Sequence, residues 1–261
     1  MLEIDELVAI MQRLRGPAGC PWDREQTHQT LIPCLVEETY ELVEAVEAEQ
    51  ADAVCEELGD LLLQVVFHAQ LASERGEYDL AQVTQGIVDK LRYRHPHVFG
   101  DVEVADSDEV VHNWEQLKAA AYGEEQRPSA LDGVPPGLPA LQRGQKLHKR
   151  AAKVGFDWAD LRGPRAKLDE ELAELDEAIA TGDPARIEHE LGDLLASAVN
   201  LARFLRLDAE QAMRAANRRF EDRFRQVEAA AQAQGRSLPD MTLAEMEELW
   251  EAAKAAENHA S

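Results

Sequence analysis

The chain has 261 residues, 45% hydrophobic but only 5% aromatic, with 51 acidic against 27 basic side chains and a formal net charge of -24. That length and apolar share allow one large domain or two ordinary ones. The scarcity of aromatics argues against a β-sandwich or barrel, and the abundance of Ala, Leu, Glu, Arg and Gln indicates an all-α protein. The charge excludes nucleic acid and anionic membranes as natural partners, and it admits a polyanionic small molecule only where divalent cations neutralise part of the site.

In chain order, Met1 to Arg15 carries Glu3, Asp5 and Glu6 among apolar residues. It reads as an amphipathic helix, not a signal peptide. Cys20, Cys34 and Cys55 show no zinc-ligand spacing and fit the reduced thiols of a cytoplasmic protein. Nothing approaches the roughly 20 apolar residues that a membrane span needs. After a corner at Trp22-Asp23, Pro33 stands near a helix start, and Leu35, Val36, Tyr40, Leu42, Val43 and Val46 form an apolar stripe to about Glu49. A second helix is expected from Asp52, as N-cap, to about Ala72. A third covers Leu80 to Arg94 and is stopped by Pro96, with His95 and His97 in loop-capping roles. A fourth carries Val110, Trp114 and Leu117.

Between Arg127 and Pro139 lie Pro128, Gly133, Pro135, Pro136 and Gly137. Prolines at that density break helices and mark a linker. The expected organisation is therefore a first repeat over 1–126, a Pro/Gly-rich linker over 127–139 and a second repeat over 140–261. Beyond another corner at Asp157-Trp158, helices are expected over Pro164 to Ile179, from the N-cap Asp183 with Pro184 behind it, over Ala209 to Ala231, and around Met246, Leu249 and Trp250. Short loops between such helices favour antiparallel neighbours and four-helix-bundle cores.

The halves repeat chemistry as well as helices. Glu57-Leu58-Gly59-Asp60-Leu61-Leu62 recurs as Glu190-Leu191-Gly192-Asp193-Leu194-Leu195, displaced by 133 residues, and Glu37, Glu38 and Glu41 recur as Glu170, Glu171 and Glu174 at the same offset. Residues three and four apart share a helix face, so each helix offers two carboxylates one turn apart. If the paired helices run antiparallel, Glu38, Glu41, Glu57 and Asp60 converge in one half, and Glu171, Glu174, Glu190 and Asp193 in the other. Four carboxylates suit a hard cation, Mg²⁺ with Mn²⁺ as a possible substitute, and Glu37 or Glu170 stands beside each set to orient a water.

Acid-rich helices ordinarily have solvated faces, but these acids interrupt dense aliphatic sequence, where an unpaired charge is costly. Each motif also keeps a mid-helix glycine, which costs about 1 kcal/mol relative to Ala. Gly59 and Gly192 therefore suggest the close approach of another helix or a ligand. Lys90 with Arg94, and Arg219 with Arg223, are cation pairs one turn apart that suit phosphate oxygens. Trp114 and Trp250 are candidates for stacking on a base.

With these residues in view, the chain resembles the MazG family of nucleoside triphosphate pyrophosphohydrolases. The likeness extends over nearly its whole length and includes Gly19-Cys20-Pro21-Trp22-Asp23, Glu37-Glu38-Thr39-Tyr40-Glu41, Arg94-His95-Pro96-His97-Val98-Phe99, Ser129-Ala130-Leu131-Asp132 and Val154-Gly155-Phe156-Asp157-Trp158. The resemblance implies two tandem all-α MazG-like repeats and Mg²⁺-dependent hydrolysis of nucleoside triphosphates between the α- and β-phosphates. It also implies broad base tolerance and a homodimer. On the same grounds Glu171, Glu174, Glu190 and Asp193 are expected metal ligands, and Glu170 a helper of the attacking water. Lys167, Arg219, Arg223 and Trp250 are expected nucleotide contacts.

The second repeat is the expected main site, because Lys167 shares a face with Glu171 and Glu174 whereas Cys34 holds the matching place in the first. Against this, His189 precedes Glu190 where Glu56 precedes Glu57. A non-catalytic Mg²⁺-nucleotide-binding regulator or scaffold is the alternative reading. A ferritin-like di-metal bundle is disfavoured because no histidine stands three residues after these glutamates.

Overall fold

The computed structural model describes residues 2–121 and 128–260. Helices account for every long element, and there is no strand among the described residues. The chain divides into two compact units, Met1–Gly123 and Glu124–Ser261. The expected end of the first repeat and Arg127, the expected first linker residue, lie outside the described residues, while 128–139 holds turns and no helix.

The first unit comprises α1 (Leu2–Arg15), α2 (Pro21–Glu25), α3 (Ile32–Glu47), α4 (Ala51–Glu74), α5 (Leu80–Arg94), the single turn α6 (Pro96–Phe99) and α7 (Ser107–Ala121). Three residues join α3 to α4 and the two pack along each other, so they form an antiparallel hairpin. Its apolar underside meets α1, and Met11, Leu31, Val66, Phe67 and Leu71 make one buried cluster flanked by Leu7, Val8 and Leu63. Helix α5 starts on a capping box: Gln82 N donates to Asp79 Oδ1 at 2.8 Å, while Asp79 N donates to Gln82 Oε1 at 3.0 Å. It ends at His95, whose Nδ1 lies 2.7 Å from Leu91 O. Asp52 does not cap α4 as expected; the cap is Gln50, and Asp52 sits inside the first turn, where its charge complements the helix dipole.

The second unit repeats the hairpin with α9 (Arg162–Thr181) and α10 (Pro184–Phe204), preceded by α8 (Ala140–Lys153) and followed by α11 (Ala209–Ala233) and α12 (Leu243–Ala260). Gly182, in the left-handed conformation at φ 70°, ends α9, and the Asp183 side chain accepts from Ala185 N at 3.0 Å to start α10. Helix α8, not foreseen in the sequence, packs on α10, where Gly144 leaves room for Val199. Leu31, just before α3, and Pro164, in the first turn of α9, stand at matching positions and are both fully buried. No helix among the described residues is long and apolar enough to cross a membrane.

The first-unit core rests on Phe67, which is 3% exposed. Phe67→Ala is expected to cost about 3–5 kcal/mol, read as a lower urea midpoint with an unchanged slope.

Candidate functional site

Both hairpins bring their acids together. In the second unit, ligand oxygens of Glu171, Glu174 and Glu190 lie within 4.8 Å of one another, and Asp193 forms an overlapping group with Glu190 and His189. In the first unit Glu38, Glu57 and Asp60 gather within the same limit. Glu41 stays outside that tight trio, but it hydrogen-bonds Glu38, and its charge raises the pKa of both Glu38 and Glu57.

The electrostatics show the cost of this crowding. Burial first, then Asp60 and Glu41, push the Glu38 carboxyl above its ordinary value, and Glu57 is raised by burial and then by Glu41. Glu174 is raised in the same way, by burial and then by Glu171 and Glu190. Clustered carboxylates of this kind fit a divalent cation, since a hard cation takes carboxylate oxygens and removes the repulsion.

The units differ in what offsets the charge. Glu171, only 4% exposed, receives Lys167 Nζ at 2.7 Å, and the same ammonium holds Glu170 at 2.8 Å. Both carboxylates raise the Lys167 pKa, so the ammonium stays charged. Arg186 approaches Glu190 at 3.9 Å and His189 approaches Asp193 at 3.4 Å. In the first unit Cys34 occupies the Lys167 position and brings no cation.

Beside the second cluster lies a cavity of about 470 Å³, lined by Lys167, Glu171 and Asp193 together with His148, Gly155, Phe156, Asp157, Trp158, Ala196, Ser197, Asn200 and Arg203. Asp157-Trp158, expected as a simple corner, forms one of its walls. Asp157 accepts from Arg203 at 2.6 and 3.0 Å, which holds its carboxyl below the ordinary range. Burial, reinforced by Arg203, lowers the His148 pKa and keeps that imidazole neutral at pH 7. Trp158 is seated on Gly163: a β-carbon there would come within 2.2 Å of the indole.

The first unit carries a different residue at the Asn200 offset. Phe67 stands where Asn200 stands, is part of the apolar core, and carries the Arg15 guanidinium 5.4 Å from its ring centroid. Arg15 in turn is bidentate to Glu74, at 2.8 and 2.7 Å.

The remaining expected contacts gather elsewhere. Arg223 donates to Glu257 from Nε and Nη2, at 2.8 Å for the latter, and lies 5.8 Å from the Trp250 ring centroid. Arg219 adds its charge to the same Glu257. None of Arg219, Arg223 and Trp250 lines the cavity. In the first unit Arg94 is 7% exposed, 4.9 Å from the Trp114 ring centroid, and so buried against an aromatic rather than presented to a phosphate. The expected close approach at Gly59 and Gly192 is not made among the described residues, where a β-carbon at either would meet nothing within 4 Å beyond its own helix backbone. The sequence alone did not single out His148, Ser197, Asn200 and Arg203, and it marked Phe156 only as part of a family motif. One signal for them was available: a polar Asn200 at the offset position of aromatic Phe67.

The seat of Trp158 gives a direct test. Gly163→Ala is expected to push the indole off the α9 start and shift the tryptophan emission to the red, whereas Gly182→Ala, remote from the ring, should leave the spectrum unchanged.

Comparison with known proteins agrees with this arrangement. The MazG nucleotide pyrophosphohydrolase domain matches residues 26–99 and 164–228, so that each match includes one carboxylate hairpin. The nucleoside triphosphate pyrophosphohydrolase of Escherichia coli K12 is 48% identical over 260 residues, covering 97% of this chain and 98% of that protein. The Thermotoga maritima nucleoside triphosphate pyrophosphohydrolase/pyrophosphatase MazG is 46% identical, covering 96% of this chain and 95% of that protein.

Proposed function

The chain belongs to the MazG nucleotide pyrophosphohydrolase family, and from that membership we propose that it hydrolyses nucleoside triphosphates, with ribose or deoxyribose, between the α- and β-phosphates. The products are a nucleoside monophosphate and pyrophosphate, the reaction depends on Mg²⁺ with Mn²⁺ as substitute, and base tolerance is broad enough to clear unwanted nucleotides in the cytoplasm. The observation that supports this best is the Glu171, Glu174 and Glu190 cluster opening beside a cavity whose wall carries Lys167.

Glu171, Glu174, Glu190 and Asp193 would hold the metal. Mg²⁺ bound there supplies Lewis acidity and charge neutralisation that a triphosphate otherwise lacks in so acidic a protein. Lys167 turns its ammonium from Glu170 and Glu171 towards the phosphate oxygens. Released from Lys167, Glu170 orients a water and takes its proton. The water oxygen bonds to the α-phosphorus, the α–β bridging bond breaks, and pyrophosphate leaves with that electron pair. No covalent nucleophile is needed.

The second unit is the catalytic one in this reading, because it couples the carboxylates to an ammonium and an open cavity. The first unit binds metal through Glu38, Glu41, Glu57 and Asp60, with the core residue Phe67 at the offset position of Asn200. Arg219, Arg223 and Trp250 act as nucleotide contacts from α11 and α12 once Arg223 exchanges Glu257 for phosphate. A homodimer is supported by apolar side chains left exposed on both hairpins, among them Val36, Leu58 and Leu62 in one and Leu172, Leu191 and Leu195 in the other. The open faces of Gly59 and Gly192 lie on those same helices.

With Mg²⁺ and a panel of triphosphates, the pure chain is expected to release pyrophosphate. Glu171→Ala or Asp193→Ala should lower kcat at least ~100-fold with circular dichroism unchanged, and Glu38→Ala should have a much smaller effect. Nucleotide binding without pyrophosphate release would instead favour a regulatory or scaffold protein.

Metal binding should also depend on pH. A carboxyl with a raised pKa retains its proton above the ordinary value of 4.5, as Glu174 does. Protons therefore compete with metal as pH falls from neutrality towards 4.5, before ordinary carboxylates titrate. Titration with Mn²⁺, followed by electron paramagnetic resonance, should show affinity falling across that window, and Glu174→Gln should flatten the dependence.

A further inference from the structure

Asn200 is a polar side chain only 5% exposed, on the cavity-facing side of α10. Its Oδ1 accepts from Arg203 Nε at 2.7 Å. Arg203 is itself clamped by Asp157, so the guanidinium cannot readily turn away. This chain of contacts fixes the flip of the amide, with the oxygen towards Arg203 and the NH₂ away from it. Among the described residues no acceptor takes the NH₂, yet the nitrogen is not sealed within protein; it opens into the cavity that Asn200 lines. The cavity therefore presents a fixed hydrogen-bond donor at its floor. Above it, Phe156 (82% exposed) and Trp158 offer aromatic faces to a planar ring. Lys167, Glu171 and Asp193 share the same space, so a ring in the cavity and phosphates at the carboxylates can belong to one molecule.

We propose that this cavity receives the nucleobase, and that Asn200, locked by Arg203 and Asp157, donates to a ring carbonyl. Bases carrying one opposite that donor (hypoxanthine, guanine, uracil, thymine) are then turned over in preference to adenine, which has none. The inference rests on the hydrolase reading above and adds an order of preference to its broad tolerance. It also moves base stacking from Trp250 to Phe156 and Trp158, since Trp250 lies outside the cavity and keeps Arg223 and Phe220 as neighbours. A site built around one buried donor discriminates against a ligand that leaves the donor unpaired.

Inosine and adenosine nucleotides differ only at the C6 oxo or amino group and in the proton at N1, so they test this edge of the base. With full-length protein and Mg²⁺, kcat/KM for inosine triphosphate should exceed that for ATP by roughly fivefold or more. Asn200→Asp, which replaces the donor by an acceptor, should bring that ratio below one. Without metal, in chelator, quenching of tryptophan fluorescence should show the inosine monophosphate bound more tightly than AMP, with the difference lost in Asn200→Ala. Phe156→Ala covers the case in which the Asn200 variants do not fold, since Phe156 is exposed. It should weaken binding of both monophosphates while leaving the affinity for inorganic tripolyphosphate unchanged.

Equal rates on the two triphosphates, a ratio unmoved by Asn200→Asp, or monophosphate affinities indifferent to Phe156→Ala would each overturn the proposal. Absence of pyrophosphate from every triphosphate would overturn the hydrolase reading instead, and the metal-free binding preference would still decide the base site.

Discussion

Like charges brought to one place by a helical hairpin are the constraint on which this molecule turns. A carboxylate pair one turn apart on each of two antiparallel helices must converge, whatever the repulsion, once the faces that carry the pairs meet. In both units the outcome is three carboxylates within 4.8 Å. Packing holds them there against their mutual repulsion, and the raised pKa values of Glu38, Glu57 and Glu174 are the visible cost. A divalent cation reverses the sign of that cost. The same geometry that strains the metal-free chain is what would make it bind metal.

Duplication then allowed the two copies to meet the constraint differently. In the first unit, the hairpin packs on α1: Phe67 joins the apolar core, and Arg15, paired with Glu74, lies over its ring. In the second, that aromatic position is Asn200, which lines a cavity with Lys167 on its wall. One copy gives that position to packing, and the other keeps polar side chains that only a ligand fully satisfies. An ammonium beside Glu171 matters because a carboxylate so deeply buried needs a charge partner even before metal or phosphate arrives.

Much of this was legible in the sequence, and the reasons are local. The α5 bounds follow from Asp79 with Gln82 and from Pro96, and the α10 start from Asp183-Pro184, since caps and prolines act within a turn. The carboxylate sets were legible because helical spacing and a constant offset are enough to place them on one face. Helix α8 was not foreseen, because its basic stripe carries no strong cap: Pro139 precedes it without a side-chain hydrogen bond. Asp52 misled for the complementary reason, being a good capping residue two positions too deep. The cavity was out of reach in principle, since Arg203 meets Asp157 across 46 residues and Trp158 meets Gly163 only after the chain has turned.

The glycines show where a single chain stops explaining its own sequence. Gly163 is accounted for by the indole that lies on it. Gly59 and Gly192 face open space, although each lowers helix propensity at the centre of the hairpin that carries the acids. Their neighbours Leu58, Leu62, Leu191 and Leu195 are exposed as well, so the missing contact is an apolar surface rather than a polar ligand. For each hairpin taken by itself, a second copy presenting the same face would cover these positions, because a two-fold interface is self-complementary. On that argument the glycine inside Glu-Leu-Gly-Asp-Leu-Leu would serve assembly and its two acids the proposed chemistry, from opposite faces of one helix.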